Sequence, residues 1–242
     1  MSRLCAQRAR NRLGLMGASC PQTPGEYSAR SNCKGTGFDG AVIDLGDSAP
    51  QGWEMTLATR IRRVPLAFDP ATASDVRAGL PGLEPEVLEL CAASAGCSPY
   101  LRGLMLREAE WLEGAAADPQ GALETVLDMA GEGAAEALPG ALRQAKRRVA
   151  LLAALCDLGG VWPLETVTGA LTRLADRAVG LALAAGMAEE IRRGRLPGAV
   201  PGDVATGGGM VVLAMGKMGA GELNYSSDID LICLFDETRY PG

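Results

Sequence analysis

Met210-Val211-Val212-Leu213-Ala214-Met215-Gly216-Lys217-Met218-Gly219-Ala220-Gly221-Glu222-Leu223-Asn224-Tyr225-Ser226-Ser227-Asp228-Ile229-Asp230-Leu231-Ile232-Cys233-Leu234-Phe235 decides how this chain is read. Two short apolar runs, Met210 to Met215 and Asp230 to Phe235, read as buried strands. Between them lies a turn with glycines at 216, 219 and 221. Residues two apart on a strand share a face, so Asp228 and Asp230 are expected to project together, with Ile229 turned away. Two carboxylates that close repel unless a cation lies between them. Oxygen-only ligands at a sheet edge favour Mg²⁺ or Mn²⁺, completed by water and substrate phosphate. The glycines allow backbone amides to approach phosphate closely. Together these features suit metal-assisted nucleotidyl transfer.

Two familiar phosphate loops are excluded. A Walker A loop needs Ser or Thr after Gly-Lys, and Met218 stands there. The order Gly-x-x-Gly-x-Gly is not that of the dinucleotide fingerprint.

Met215 to Phe235 resembles the signature of the bifunctional glutamine synthetase adenylyltransferase/adenylyl-removing enzymes. Their pattern reads Gly-Lys-Leu-Gly-Gly-x-Glu-Leu-Asn-Tyr-x-Ser-Asp-Ile-Asp-Leu. Met218 and Ala220 are mild departures from it. In the wider nucleotidyltransferase superfamily, which includes DNA polymerase beta, Gly-Ser precedes the acid pair; here Gly216-Lys217 takes that place. Upstream, Ser98-Pro99-Tyr100-Leu101, the stretch from Arg147 to Leu158, and Leu171 to Asp176 are similar to further family segments. The match covers about residues 55–242.

The resemblance implies an α+β fold: a helical segment followed by the start of a polymerase-beta-like nucleotidyltransferase domain. It implies that Asp228 and Asp230 hold Mg²⁺ or Mn²⁺, and that Gly216, Lys217 and Gly219 lie near the phosphates of ATP or ADP. Ser226 or Ser227 is expected to donate a hydrogen bond there. Such enzymes remove AMP from a tyrosine of glutamine synthetase by phosphorolysis, or add AMP from ATP, in control of nitrogen assimilation. The wording here is more like that of the N-terminal, removing half. Glutamine synthetase is the implied partner, with the PII signalling protein as a regulator. The family's third acidic ligand is expected on a later strand, so the chain reads as an inactive fragment of a multifunctional enzyme. Two other readings stay open: a non-catalytic helical interaction module, and a nucleotidyltransferase with another substrate.

Composition narrows the field. Among 242 residues there is no histidine, which excludes Ser-His triads and histidine-ligated metals. The net charge is −6 with no basic patch, which argues against nucleic acid as a partner. Seven cysteines occur without a Cys-x-x-Cys pair, so a zinc site is not expected. Cys156 and Cys233 lie in apolar runs and are expected as reduced, buried thiols of a cytoplasmic protein. Charged residues interrupt every apolar run before it reaches membrane-spanning length.

Three regions follow. Residues 1–54 are turn-rich without sustained periodicity and read as a disordered leader or a mis-assigned start. Residues 55–196 read as helical, and 197–242 as the first strands of a nucleotidyltransferase domain. Within the helical region, one helix is expected over about 84–95. Ser98 and Pro99 are expected to cap a second, carrying Leu101, Leu104, Met105 and Leu112 on one face to about Gly114. Further helices are expected over 119–129, 141–158 and 164–194. The basic face Arg143, Lys146, Arg147 and Arg148 is expected to be solvated, or else to dock an acidic partner. Residues 197–209 read as a loop.

Overall fold

The computed structural model describes residues 56–239, so the reading of 1–54 lies outside the described residues. The fold is mostly helical, with one two-stranded antiparallel sheet near its C-terminal end, and is α+β. A short turn α1 (Leu57–Arg60) is followed by α2 (Pro70–Gly79), α3 (Pro85–Cys97), α4 (Pro99–Arg107), α5 (Ala109–Ala117) and α6 (Pro119–Met129). The long helices α7 (Leu138–Leu158) and α8 (Leu164–Arg192) come next. A 3₁₀ stretch, Pro201–Gly209, leads into β1 (Met210–Ala214), then α9 (Gly216–Gly219) and β2 (Leu231–Phe235).

Capping chemistry fixes many of the boundaries. Asp69, Ser98 and Asp118 each accept a backbone N–H with the side chain, and each is followed by proline at the first helical position. Such a cap contributes about 1 kcal/mol, and proline there loses no hydrogen bond the helix would have made. The core is helix on helix. α3 is buried at Val87 and from Leu90 to Gly96, and its small residues allow close approach of its neighbours. Leu151, Leu152, Leu155 and Cys156 of α7 are at most 1 % exposed. Met105, Leu112, Leu123 and Val167 join them from α4, α5, α6 and α8.

The expected single helix over 98–114 is two. Glu108 leaves helical geometry at φ −112°, ψ 25°, although Glu108 N still donates to Leu104 O and Leu112 N to Glu108 O. The residue bends the chain without costing those hydrogen bonds. The reason lies in its partners. The carboxylate is buried between Arg147 and Arg148 of α7, accepting from both Nε atoms at 2.8 Å. Arg148 also lies 5.2 Å from the centre of the Trp111 ring. Half of the basic face thus grips an acid of its own chain, whereas Arg143 and Lys146 are exposed as expected. Burial alone pushes the Glu108 carboxyl up, but the two arginine hydrogen bonds outweigh it and hold the group below the usual range.

Both predicted strands exist, but neither is buried as expected. β1 is mostly half-buried and β2 mostly exposed. Cys233 on β2 is exposed, unlike Cys156 inside α7, because among the described residues no further layer covers that strand. The register pairs Met210 with Phe235 and Ala214 with Leu231. Two bonds prolong this ladder, Asp236 N to Gly209 O at 3.0 Å and Met215 N to Asp230 O at 2.9 Å.

Candidate functional site

The Met215–Asp230 bond places the acid pair. It brings the start of β2 beside the residue where β1 gives way to the glycine turn. Gly216 there has φ +56°, a left-handed conformation that glycine adopts without penalty. The Asp230 Oδ2 atom lies 3.8 Å from where a Cβ at Gly216 would sit. Asp230 and Gly216, fourteen positions apart in sequence, therefore form one small locus. Gly219 is demanded by closeness rather than by φ: a Cβ there would meet the Ala214 carbonyl oxygen at 2.4 Å. The glycine turn is one short helical turn, closed by Gly219 N to Met215 O, Ala220 N to Gly216 O and Glu222 N to Lys217 O.

The helical core holds this turn in place. Met218 and Leu223 are 5 % and 6 % exposed and belong to the same apolar cluster as α3 and α7. Leu223 N donates to the Thr172 hydroxyl of α8 at 3.3 Å, and that hydroxyl donates to Thr168 O at 2.9 Å. At the far end of the sheet, buried Asp203 accepts from Val200 N at 2.9 Å and pairs with Arg239 just past β2. The hairpin is thus pinned at both ends, and Asp228 and Asp230 sit at the pinned mouth.

Asp228, Asp230 and Lys217 are exposed and make no ion pair among the described residues. Both acids fall just ahead of β2 rather than within it. Among the described residues no group of three acidic, cysteine or histidine side chains converges. The Asp230 carboxylate beside the glycine turn, with Asp228 two residues before it in sequence, is a donor set of the kind Mg²⁺ uses, since that ion takes one or two carboxylates and completes its shell with water and phosphate. Ser226 is exposed on a turn from Asn224 to Ser227. The Ser227 hydroxyl donates to Asn224 Oδ1 at 2.6 Å, so its proton is engaged within that turn. Glu222 is exposed, and its backbone N–H donates to Lys217 O at 2.8 Å.

A model of the family described as glutamate-ammonia ligase adenylyltransferase matches residues 88–241. The chain belongs to that family. A bifunctional glutamine synthetase adenylyltransferase/adenylyl-removing enzyme of Rhodopseudomonas palustris is 40 % identical over 82 % of this chain and 22 % of its own length. A relative of the same name from a Bradyrhizobium species is 46 % identical over 70 % of this chain and 18 % of its own. One from Xanthobacter autotrophicus is 37 % identical over 77 % and 21 %. The chain spans about a fifth of the length of these relatives. No solved structure matches it. Among the described residues no helix is long and apolar enough to cross a membrane.

What the sequence did not reveal is the pairing of the supports: Arg147 and Arg148 with Glu108, and Thr172 with Leu223, each joining residues 39 to 51 positions apart. Tyr100, Asp157 and Tyr225 each fall in a different stretch with family resemblance, yet all three line one cavity.

Proposed function

We propose that this chain supplies the helical region and the acid-pair segment of a polymerase-beta-like nucleotidyltransferase acting on a regulatory tyrosine of glutamine synthetase. The direction that fits the sequence best is removal of AMP by phosphorolysis to ADP, the work of the N-terminal half. The observation that carries the reading is the juxtaposition of the unpaired Asp230, with Asp228 two residues before it, and the pinned glycine turn. Asp228 and Asp230 would hold Mg²⁺, and Gly216, Lys217 and Gly219 would face the nucleotide phosphates, with Ser226 as the free hydroxyl donor. A bound Mg²⁺ supplies charge stabilisation for the transferred phosphoryl group. Lys217, exposed on the glycine turn, would add a positive charge for the nucleotide phosphates. The clamped backbone keeps these groups oriented before substrate arrives, which is where most catalytic advantage in phosphoryl chemistry lies.

Among the described residues no third acidic side chain joins Asp228 and Asp230, so the 242-residue chain is proposed to bind nucleotide without turning it over. Equilibrium binding of ADP with and without Mg²⁺, to the parent and to Asp228→Asn, tests the reading. Binding that requires Mg²⁺ and is lost in the variant is expected. Absence of Mg²⁺-dependent binding in the parent would overturn it and favour the non-catalytic interaction module.

A further inference from the structure

A cavity of about 250 Å³ lies beside the acid-pair segment, a little below the about 300–1,000 Å³ typical of drug-sized small-molecule sites. Its floor is apolar: Leu101 of α4 with Ala150, Ala154 and Leu158 of α7. Its mouth carries two tyrosines, Tyr100 from α4 and Tyr225 from the turn before Ser226, which are 60 % and 46 % exposed. The one carboxylate in its wall is Asp157. That carboxylate lies 3.8 Å from the Arg63 guanidinium, so its charge is already partly balanced. A cationic ligand is therefore poorly served, whereas a neutral group with an N–H to donate is well served. Alanines at 150 and 154 leave room above α7 where larger side chains would fill the space, and aromatic faces at a cavity mouth are stacking platforms for planar rings.

We infer that this cavity seats a purine base, adenine in the proposed reaction, with its exocyclic amine donating to Asp157 and its ring against Tyr225 and Tyr100. The inference rests on the nucleotidyl-transfer reading and adds the base to it. Tyr225 stands three residues before Asp228, at most about 10 Å of chain and less because Asn224 to Ser227 is a turn. A base at Tyr225 thus leaves its phosphates within reach of the acid pair. A tyrosine hydroxyl is protonated at neutral pH, so Tyr225 can donate to a ring nitrogen while Asp157 accepts.

The test compares ADP with IDP, which differ where the exocyclic amine is replaced by a carbonyl. Binding of each to the 242-residue chain is measured with Mg²⁺. ADP is expected to bind about tenfold more tightly than IDP, the value of one discriminating hydrogen bond to a charged acceptor. Asp157→Asn, whose amide both donates and accepts, is expected to bring the ratio near unity while leaving the Mg²⁺ dependence intact. Tyr100→Leu, at an exposed position that spares the core, is expected to weaken both nucleotides about tenfold by removing one stacking face. Equal affinities in the parent, or a ratio and affinity unmoved by both variants, would overturn the inference. If Mg²⁺-dependent binding through Asp228 survived that result, the nucleotidyl-transfer reading would stand without the base site. Failure of every nucleotide to bind would remove both.

Discussion

Replacing Gly219 by alanine tests whether the close contact between α9 and β1 sets the site. The added Cβ would sit 2.4 Å from the Ala214 carbonyl oxygen and 3.1 Å from its carbon, both backbone atoms. Real Cβ atoms stay beyond 3.0 Å of such neighbours, so either the end of β1 or the glycine turn must move. Ala214 is the last paired residue of β1, and the next residue carries the bond to Asp230, so movement there disturbs the mouth of the hairpin. Forced overpacking of this kind costs about 1–3 kcal/mol. At the middle of that range the melting midpoint should fall by about 4–8 °C for a chain of this size. Gly221→Ala is the matched comparison. Its φ is +75° with nothing near the added carbon, so only backbone strain of about 1–2 kcal/mol applies. Thermal melts followed by circular dichroism, with hydrogen exchange read at the Leu231–Phe235 amides, separate the two. Gly219→Ala should melt lower and expose those amides faster, whereas Gly221→Ala should leave their exchange nearly unchanged. A Gly219→Ala protein with parental melting and exchange would show that the 2.4 Å approach constrains nothing.

Two further perturbations probe the supports. Glu108→Gln leaves Arg147 and Arg148 short of a charge; removing one partner of a buried pair costs about 3–5 kcal/mol, and the partial exposure of both arginines reduces this to about 2 kcal/mol, readable in a urea titration. Because the folded-state carboxyl is held below its unfolded value, its contribution is present above about pH 4.3 and is lost as pH falls through the folded-state value. The parent should therefore lose stability more steeply than Glu108→Gln below about pH 4.3, and parallel acid limbs would contradict the pairing. Thr172→Val keeps the shape of the side chain but removes the acceptor for Leu223 N; an unsatisfied buried N–H costs about 1–3 kcal/mol. Exchange at the Leu223 amide should accelerate in that variant ahead of the α7 amides, and equal acceleration of both would refute a local tether.

Much of the fold was legible because its signals are local. Ser98 followed by Pro99 marks a helix start by one side chain and its own backbone, and the structure has that cap. The helix over Pro119–Met129 begins at Asp118-Pro119 for the same reason. The strand pair flanking the glycine turn was visible as two apolar runs. What escaped depends on contacts distant in sequence. The bend at Glu108 is invisible in a periodic pattern, because Leu104, Met105 and Leu112 keep their spacing across it and the cause lies in two arginines on another helix. The exposure of Cys233 escaped because an apolar run states what a strand can bury, not what is present to cover it. The acid pair was named from its residues alone, whereas the closeness of Asp230 to Gly216 comes from the hairpin ladder.

The anchoring of Met218 and Leu223 within the helical cluster bears on how such a protein can be re-engineered. A chimera that exchanged only residues 210–239 for those of a distant relative would import two side chains shaped for a foreign helical surface, and a loop amide in search of a hydroxyl. A transplant keeps its geometry only if α7 and the first half of α8 travel with it. The unit of inheritance here is the hairpin together with the helices that grip it.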